Sequence, residues 1–273
     1  MDTETLRRVQ LTQLEILKEL DRICKSNNIK YWLDSGTLLG AIRHKGFIPW
    51  DDDLDIGMLR PDYQRFVELC NTESSKMYHL YTWDNCEEHP FSFAKFRKEG
   101  TVYQEFKDEA TKHNGIYIDV FPYDKMPSDL DLQRKQGKNV DLLKRMFLVK
   151  KGYKPWKTLK GFDFRRAIGF IPIRFLALFN SEDSLKKKFL AAQTKYDDLK
   201  SGYSYFPSGV SRYGKWVMDS DILENLSEAK FEDGYFPVPG DPDKYLKKGY
   251  GDYMKLPPEE QRSVGHSVVR VEF

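Results

Sequence analysis

Apolar residues recur every three or four positions near the start of the chain, at Leu11, Leu14, Leu17, Leu20 and Cys24. This spacing predicts an amphipathic helix that ends before Asn27 and Asn28. A short β-prone run at 29–33 follows, then a tight polar stretch at 34–37 and an apolar segment at 38–42. We interpret this order as strand, turn and helix.

The same alternation continues downstream. Residues 54–58 predict a strand, and Arg60-Pro61-Asp62 is typical of the start of a helix. Aromatic and β-branched residues predict further strands at 78–83, 91–96 and 116–121, and apolar periodicity predicts helices at 129–150 and 183–200. The pattern predicts an α/β (α+β) protein with a core at 1–128, a helical basic and aromatic insertion at 129–202, and a C-terminal segment at 203–273 that packs back on the core.

Composition limits the function classes. The 273 residues are 40% hydrophobic, which is enough for a buried core, and the net charge of +2 gives no reason to expect a nucleic-acid binder. The three cysteines include no C-x-x-C pair, and the polar N-terminus has no signal-peptide pattern, so we expect a cytoplasmic protein. The longest apolar run, at 167–179, has about 13 residues, so we expect no transmembrane helix.

Charge is concentrated in one region. Residues 144–188 contain thirteen Lys or Arg and three acidic residues, interleaved with Trp156, Phe162, Phe170, Ile171 and Phe175. Two interpretations stay open: peripheral contact with the anionic inner face of the cytoplasmic membrane, or a solvated helical face around a small apolar subcore.

Acidic residues carry the candidate chemistry. Asp53 and Asp55 are two positions apart, so on an extended segment both side chains point to one face, roughly 6 to 7 Å apart. Asp119 lies in an otherwise apolar strand, where an unpaired charge would be costly. Aspartate oxygens suit Mg²⁺ or Mn²⁺ better than Zn²⁺, so the three residues are candidate metal ligands; a polar turn and an exposed strand face are the alternatives.

Residues 31–57, with the sequence YWLDSGTLLGAIRHKGFIPWDDDLDIG, resemble the LicD family. The resemblance extends to FAKFR at 93–97, IDVFP at 118–122 and YGDYM at 250–254, and is weakest at 130–230. It implies a polymerase-β-like nucleotidyltransferase core with a mixed sheet. The glycine-serine turn of that fold has the reversed order here, at Ser35-Gly36.

The resemblance also implies roles for residues. Asp53, Asp55 and Asp119 would be the catalytic and metal-binding carboxylates, with Mg²⁺ or Mn²⁺ as cofactor. The glycine turn Ser35, Gly36 and Thr37 would bind the donor phosphate, a weak signal taken alone. The neighbouring acids Asp51 and Asp52 match the family's acidic run and would shape the loop.

Further donor contacts are expected from nearby cations and aromatic rings. Positive side chains suit a pyrophosphate, and the candidates are Arg43, Lys45, Lys95 and Arg97. A choline headgroup offers no hydrogen-bond donor and is recognised by aromatic faces, for which the candidates are Trp50, Trp83, Tyr123 and Tyr250. Asp252 follows a predicted helix at 243–248 and lies either at the edge of the site or in a structural turn.

The function implied is transfer of phosphocholine from CDP-choline to a sugar hydroxyl of a glycan, with release of CMP. The glycan acceptor would be a lipopolysaccharide or teichoic-acid precursor, lipid-linked in this type of enzyme. Three alternatives stay open: a CDP-alditol transferase acting on ribitol or glycerol phosphate, transfer of the nucleotide itself, and a non-catalytic carbohydrate- or partner-binding module.

Overall fold

The structure is a computed structural model. It describes residues 1–72, 75–105, 113–154, 156–158, 161–208, 216–262, 265 and 268–273, with the backbone alone at 157, 158 and 161. Residues 155, 159 and 160 of the basic stretch therefore lie outside the described residues.

The first helix, α1 (Thr3–Ser26), confirms the helix predicted from the apolar spacing. Asp2 caps it, because its carboxylate accepts a hydrogen bond from the Thr5 amide at 2.8 Å. Leu11, expected on the inner face, is 42% exposed. The buried side of α1 includes Gln10 and Gln13, which reach the loops around the acidic residues.

Strands and helices alternate over residues 32–72, as expected for an α/β core, and four successive strands follow. The predicted turn at 34–37 is wrong in detail, because residues 35–37 already belong to a helix. The elements are β1 (Trp32–Leu33), α2 (Ser35–His44), β2 (Asp55–Leu59), α3 (Arg60–Thr72), β3 (Tyr78–Tyr81), β4 (Ala94–Lys98), β5 (Val102–Glu105) and β6 (Tyr117–Pro127).

The main sheet is mixed, which confirms the predicted α/β class. Its strand order is β1-β2-β6-β4-β3, with β2 and β6 parallel and the other pairs antiparallel. Strand β6 continues well beyond the predicted end at 121, and its C-terminal half pairs with β9 (Tyr203–Pro207), which in turn pairs with β10 (Met218–Asp219). Helices α1, α2 and α3 pack on this sheet around the main hydrophobic cluster.

Between β6 and β9 lies a mostly helical region with its own apolar cluster. Helices α4 (Leu130–Lys150), α6 (Ile171–Leu178) and α7 (Glu182–Gln193) pack together. A hairpin of β7 (Lys157–Thr158) and β8 (Gly161–Phe162), followed by α5 (Phe164–Gly169), lies between α4 and α6. None of the helices in the described ranges is both long and apolar enough to cross a membrane.

The C-terminal part adds small elements to the core. They are α8 (Ser220–Glu224), the hairpin β11 (Leu226–Phe231) and β12 (Gly234–Pro239), α9 (Pro242–Tyr250), a 3₁₀ turn (Glu259–Gln261) and β13 (Val268–Glu272), which pairs with β5. Helix α9, predicted at 243–248, contacts α2. The division into three segments at 128 and 202 stays a prediction.

A buried ion pair joins the sheet to the helical region. Arg60, at the start of α3, donates two hydrogen bonds to Asp124 on β6 at 2.6 and 2.7 Å, and both side chains are nearly inaccessible. The Gln193 amide at the end of α7 donates to the same carboxylate at 2.9 Å. The side chains of Arg60, Asp124 and Gln193 thereby hold α3, β6 and α7 together at one point.

Candidate active site

Three charged side chains form one row across three adjacent strands. Asp55 on β2 lies opposite Asp119 on β6, and Asp119 lies opposite Lys95 on β4. Residues opposite each other on neighbouring strands point to the same face of a sheet. The Lys95 ammonium is 2.9 Å from a carboxylate oxygen of Asp119, and both side chains are mostly buried. The sheet register therefore places Asp119 opposite Asp55.

The acidic run, residues 51–55, ends at Asp55 of this row. Strand β2 begins only at Asp55, so Asp53 lies just before the strand. Burial nevertheless alternates from 51 to 55: Asp51, Asp53 and Asp55 are partly buried, whereas Asp52 and Leu54 face the interior. Loss of solvation and the negative charges of Asp53 and Asp119, with those of Asp34 and Asp51, raise the pKa of Asp55 well above its usual value.

The first turn of α2 lies directly beside the acids. The Thr37 hydroxyl accepts a hydrogen bond from the Asp55 amide at 2.8 Å, and the Asp34 amide donates to the Asp55 carbonyl at 3.0 Å. A Cβ atom at Gly36 would lie 3.1 Å from an Asp51 carboxylate oxygen, so glycine allows this close approach. Ser35 has a positive φ of 45°. The phosphate-binding turn expected from Ser35, Gly36 and Thr37 is thus a helix N-terminus, which favours anions.

A buried hydroxyl network fixes that helix end. Asp34, 1% exposed, caps α2 and accepts hydrogen bonds from Ser35 N–H at 2.8 Å, from the Tyr123 hydroxyl at 2.7 Å and from the Tyr245 hydroxyl. Burial raises the pKa of Asp34 despite these donors. Tyr123 is 1% exposed and packs on Trp32, so it presents no face to a ligand and does not fit the choline-cage role expected for it.

Two glutamines of α1 and a tyrosine hold the acidic loop, and these residues were not predicted. Gln10 donates to the Asp51 carbonyl at 2.8 Å, and Gln13 donates to the Asp52 carbonyl at 2.9 Å. The Asp52 carboxylate, in the interior, accepts from the Tyr103 hydroxyl at 2.5 Å and from the Gly265 amide at 3.1 Å. Asp52 therefore shapes the loop. The signal for the glutamines was their place on the inner face of an amphipathic helix.

The four predicted cations are in different positions. Lys95 lies in the charged row, with its ammonium 3.3 Å from the centre of the Tyr117 ring. Arg97, also buried, donates to the Gly115 carbonyl at 2.7 Å. Arg43 is on the last turn of α2 and donates to the Tyr253 carbonyl at 2.7 Å. Lys45 follows that helix and is exposed; it lies about 15 Å along the axis from Ser35. The structure brings only Lys95 to the acids by direct contact.

The remaining aromatic candidates are separated. Tyr250 is 41% exposed, lies within electrostatic range of Asp55 and Asp53, and packs on Trp216, which the sequence reasoning missed. Trp50 is half-buried, with the Arg262 guanidinium 5.4 Å from its ring centre. Trp83 packs edge-on against α4 and α7 in the second apolar cluster. Asp252 is exposed in the turn after α9.

Comparison with known proteins decides the family. A family model described as LicD/FKTN/FKRP, nucleotidyltransferase domain, matches residues 28–141, which include the acidic run, α2 and Asp119. The lipopolysaccharide cholinephosphotransferase LicD of Haemophilus influenzae is 33% identical over 269 residues, covering 96% of both chains. The chain belongs to the LicD/FKTN/FKRP family. The resemblance stated from residues 31–57 is thereby confirmed.

More distant members of the LicD/FKTN/FKRP family match only part of the chain. Human ribitol 5-phosphate transferase FKRP is 27% identical over 116 residues, which is 40% of this chain and 21% of that protein. Mouse ribitol-5-phosphate transferase FKTN is 35% identical over 60 residues, or 22% of this chain and 13% of that protein. These relatives are phosphotransferases, which confirms the predicted enzyme class.

The acidic residues of this LicD family member suit a hard divalent cation by charge and by ligand type. Several carboxylates crowd around Asp55, and oxygen ligands are those that Mg²⁺ prefers. Within the described ranges, however, no three His, Cys, Asp or Glu side chains already form a metal-binding group. Asp119 contacts Lys95 instead. The metal site at Asp53, Asp55 and Asp119, with Mg²⁺ as its ion, stays a proposal.

Proposed function

We propose that this protein transfers phosphocholine from CDP-choline to a hydroxyl group of a cell-surface glycan and releases CMP. The observation that carries the proposal is the similarity to a lipopolysaccharide cholinephosphotransferase over 96% of both chains. A match of that extent includes the helical region and α9 as well as the acidic site, so it covers residues beyond those shared with the ribitol 5-phosphate transferases.

Electrostatics at the site support a nucleoside diphosphate donor. The N-terminus of α2 attracts phosphate, whereas Asp51, Asp53 and Asp55 beside it repel phosphate. A cation between the two resolves this conflict. Mg²⁺ held by Asp53, Asp55 and Asp119 would neutralise charge on the phosphate oxygens.

The described residues supply the other parts of the reaction. The acceptor hydroxyl oxygen forms a bond to the phosphorus that carries choline, and the bond from that phosphorus to the CMP oxygen breaks. The Lys95 ammonium, 2.9 Å from Asp119, positions this carboxylate, which takes the proton of the attacking hydroxyl. Asp34 orients the α2 N-terminus through its contacts with Tyr123 and Tyr245. Tyr250, exposed beside the acids, is the aromatic candidate best placed for the choline group.

Donor choice is tested by measuring CMP release with CDP-choline, CDP-ribitol and CDP-glycerol at equal concentration, with a glycan acceptor and Mg²⁺. We expect turnover of CDP-choline to exceed that of either CDP-alditol at least about tenfold, since the pocket would recognise a cation that the alditols lack. Faster turnover of CDP-ribitol would replace the proposal with the ribitol-phosphate activity named for the human and mouse relatives.

The mass of the product distinguishes phosphocholine transfer from nucleotidyl transfer. An acceptor heavier by one phosphocholine group is the expected product, with free CMP in equal amount. An acceptor carrying the nucleotide instead would assign nucleotidyl transfer to the site. If none of the donors is turned over while each still protects the protein from thermal unfolding, the chain is a binding module rather than an enzyme.

A further inference from the structure

Helices α5 and α6 expose an unusual amount of apolar surface. The exposed fraction is 69% for Phe164, 59% for Phe175, 72% for Leu178 and 73% for Phe179. Such side chains are ordinarily placed inside, and contiguous exposed ones mark interaction sites. We call this surface the docking face and define it by Phe162, Phe164, Ile168, Ile171, Phe175, Leu178 and Phe179.

Helix α6 is apolar on opposite sides. Ile173 and Ala177, four residues apart, are buried against α4 and α7. Ile171, Phe175 and Leu178, spaced by four and three, lie on the other side and are more than half exposed. A helix that is apolar all round is suited to burial on both sides. In the described part of the chain, protein covers only the side of Ile173.

Positive charge surrounds the docking face. Arg165 and Arg166 on α5 and Arg174 on α6 are exposed among its apolar residues. An open groove of about 450 Å³ between the end of α4 and α6 is lined by apolar side chains and by Lys150 and Arg174. Basic residues outnumber acidic ones thirteen to three over 144–188, whereas the whole chain carries only +2.

We propose that the docking face binds the surface of a bilayer that contains anionic phospholipids. The aromatic and aliphatic side chains of α5 and α6 enter the interfacial region, and Arg165, Arg166 and Arg174 contact phosphate headgroups. Apolar residues on short surface helices with adjacent cations are typical of interfacial membrane binding. Charge complementarity favours a bilayer over a second copy of the chain, because self-association would bring two basic surfaces together.

Vesicle flotation of the full-length protein tests this binding. Vesicles of phosphatidylcholine with about 30% phosphatidylglycerol are compared with pure phosphatidylcholine at about 50 mM salt, where electrostatic attraction is weakly screened. We expect at least about tenfold more protein bound to the anionic vesicles, and loss of most of this difference at about 500 mM salt.

Two variants divide the apolar from the charged contribution. Phe175→Asp/Phe179→Asp and Arg165→Gln/Arg166→Gln/Arg174→Gln should each lower the partition coefficient at least about tenfold. Matched controls change the same residue properties elsewhere: Leu130→Asp/Tyr235→Asp removes two exposed apolar side chains, and Lys76→Gln/Lys230→Gln/Lys255→Gln removes three exposed cations. Both controls should bind within about twofold of wild type.

Three results overturn the proposal. The first is that the wild-type protein stays in solution with anionic vesicles at low salt. The second is that the test and control variants lose vesicle binding equally. The third is a dimer in vesicle-free solution that Phe175→Asp/Phe179→Asp converts to a monomer. The last result would assign the face to a subunit interface. Circular dichroism of each variant checks that a loss of binding is not a loss of fold.

Discussion

The sheet and the helical region break the ordinary inside–outside rule in opposite ways. Around β2, β4 and β6 the protein places charged side chains in mostly buried positions, with Asp119 beside Lys95 and Arg60 beside Asp124. Around α5 and α6 it leaves Phe175, Phe179 and their neighbours in solvent. Both arrangements lower the stability of the isolated chain. Buried charges lose their hydration, and exposed apolar side chains stay in contact with water.

The buried charges differ in how well the protein itself satisfies them. Arg60 and Asp124 are satisfied by each other and by Gln193, so this buried charge is structural. The carboxylates near Asp55 crowd one another, which points to a ligand rather than to a structural role. In the helical region, the exposed apolar side chains of α5 and α6 would be covered by a surface rather than by an ion. Departures from the simple rule that have no internal compensation are the functional candidates.

Mutation of the acidic run should cause the greatest loss of activity. Asp53→Asn and Asp55→Asn should each lower CMP release from CDP-choline by about a thousandfold or more, because each removes charge that would hold the metal ion. Asp233→Asn is the matched control: Asp233 forms only a surface ion pair with Lys18, so turnover should stay within about twofold. Wild-type turnover in both site variants would refute the role of these carboxylates.

The next effect concerns the structural ion pair. Arg60→Met should lower the free energy of unfolding by about 3 to 5 kcal/mol, because Asp124 would remain buried and charged without its partner. Arg60→Met/Asp124→Leu should recover most of that loss, as apolar pairs of similar volume commonly do. Urea unfolding measures both values. A single variant as stable as wild type would mean that Gln193 alone satisfies the carboxylate.

A smaller effect depends on pH. Burial and the nearby Asp124 raise the pKa of Asp197 from its ordinary 3.8 to about 6. The folded protein therefore holds this proton more tightly than the unfolded chain, and wild type loses stability as the pH rises from about 4 to 6. The full shift corresponds to about 3 kcal/mol, but partial exposure reduces our expectation to about 1 kcal/mol.

Asp197→Asn tests that sign. The amide oxygen keeps the acceptor for the Lys125 amide, so the variant should be about 1 kcal/mol more stable than wild type at pH 7.5. The difference should shrink toward pH 4, where wild-type Asp197 is protonated in both states. Urea unfolding at the two pH values gives the comparison, and a gain that is larger at the lower pH would contradict it.

Mutation of the exposed rings at 175 and 179 should have little effect on stability. Phe175→Asp/Phe179→Asp should change the free energy of unfolding by no more than about 0.5 kcal/mol, because both rings are already mostly exposed. Ile173→Asp is the contrasting variant: its side chain lies in the second apolar cluster, and a buried charge there should cost several kcal/mol. Equal losses in both variants would mean that the exposed rings are covered within the protein.

Local patterns predicted much of the fold. The spacing of apolar residues located α1, and the order of strand and helix signals placed β2, α4 and the starts of α3 and β6 within a few residues. Helix capping by Asp34 was missed because residues 34–37 were interpreted as a turn, although the capping bond comes from the adjacent Ser35 N–H. The hydroxyls of Tyr123 and Tyr245, which also reach this carboxylate, come from far along the chain. Such distant partners leave no signal in a local window.

The candidate site was predictable in its acids and less so in its surroundings. The two-residue spacing of Asp53 and Asp55 matches the side-chain period of an extended chain. Burial alternates with the same period over residues 51–55. The partner of Asp119 depends on register, which places Lys95 opposite it and leaves Lys45 at the far end of α2. Ring exposure depends on tertiary packing, so Tyr123 and Tyr250 could not be distinguished by sequence.

We propose that Asp53, Asp55 and Asp119 together hold a divalent ion beside the donor phosphates. Electron paramagnetic resonance of Mn²⁺, with CDP-choline present, measures this ion directly and independently of turnover. We predict tight binding by wild type and by Asp233→Asn, and binding weakened at least about tenfold in Asp55→Asn and in Asp119→Asn. Equal Mn²⁺ affinity in all four proteins would contradict the account.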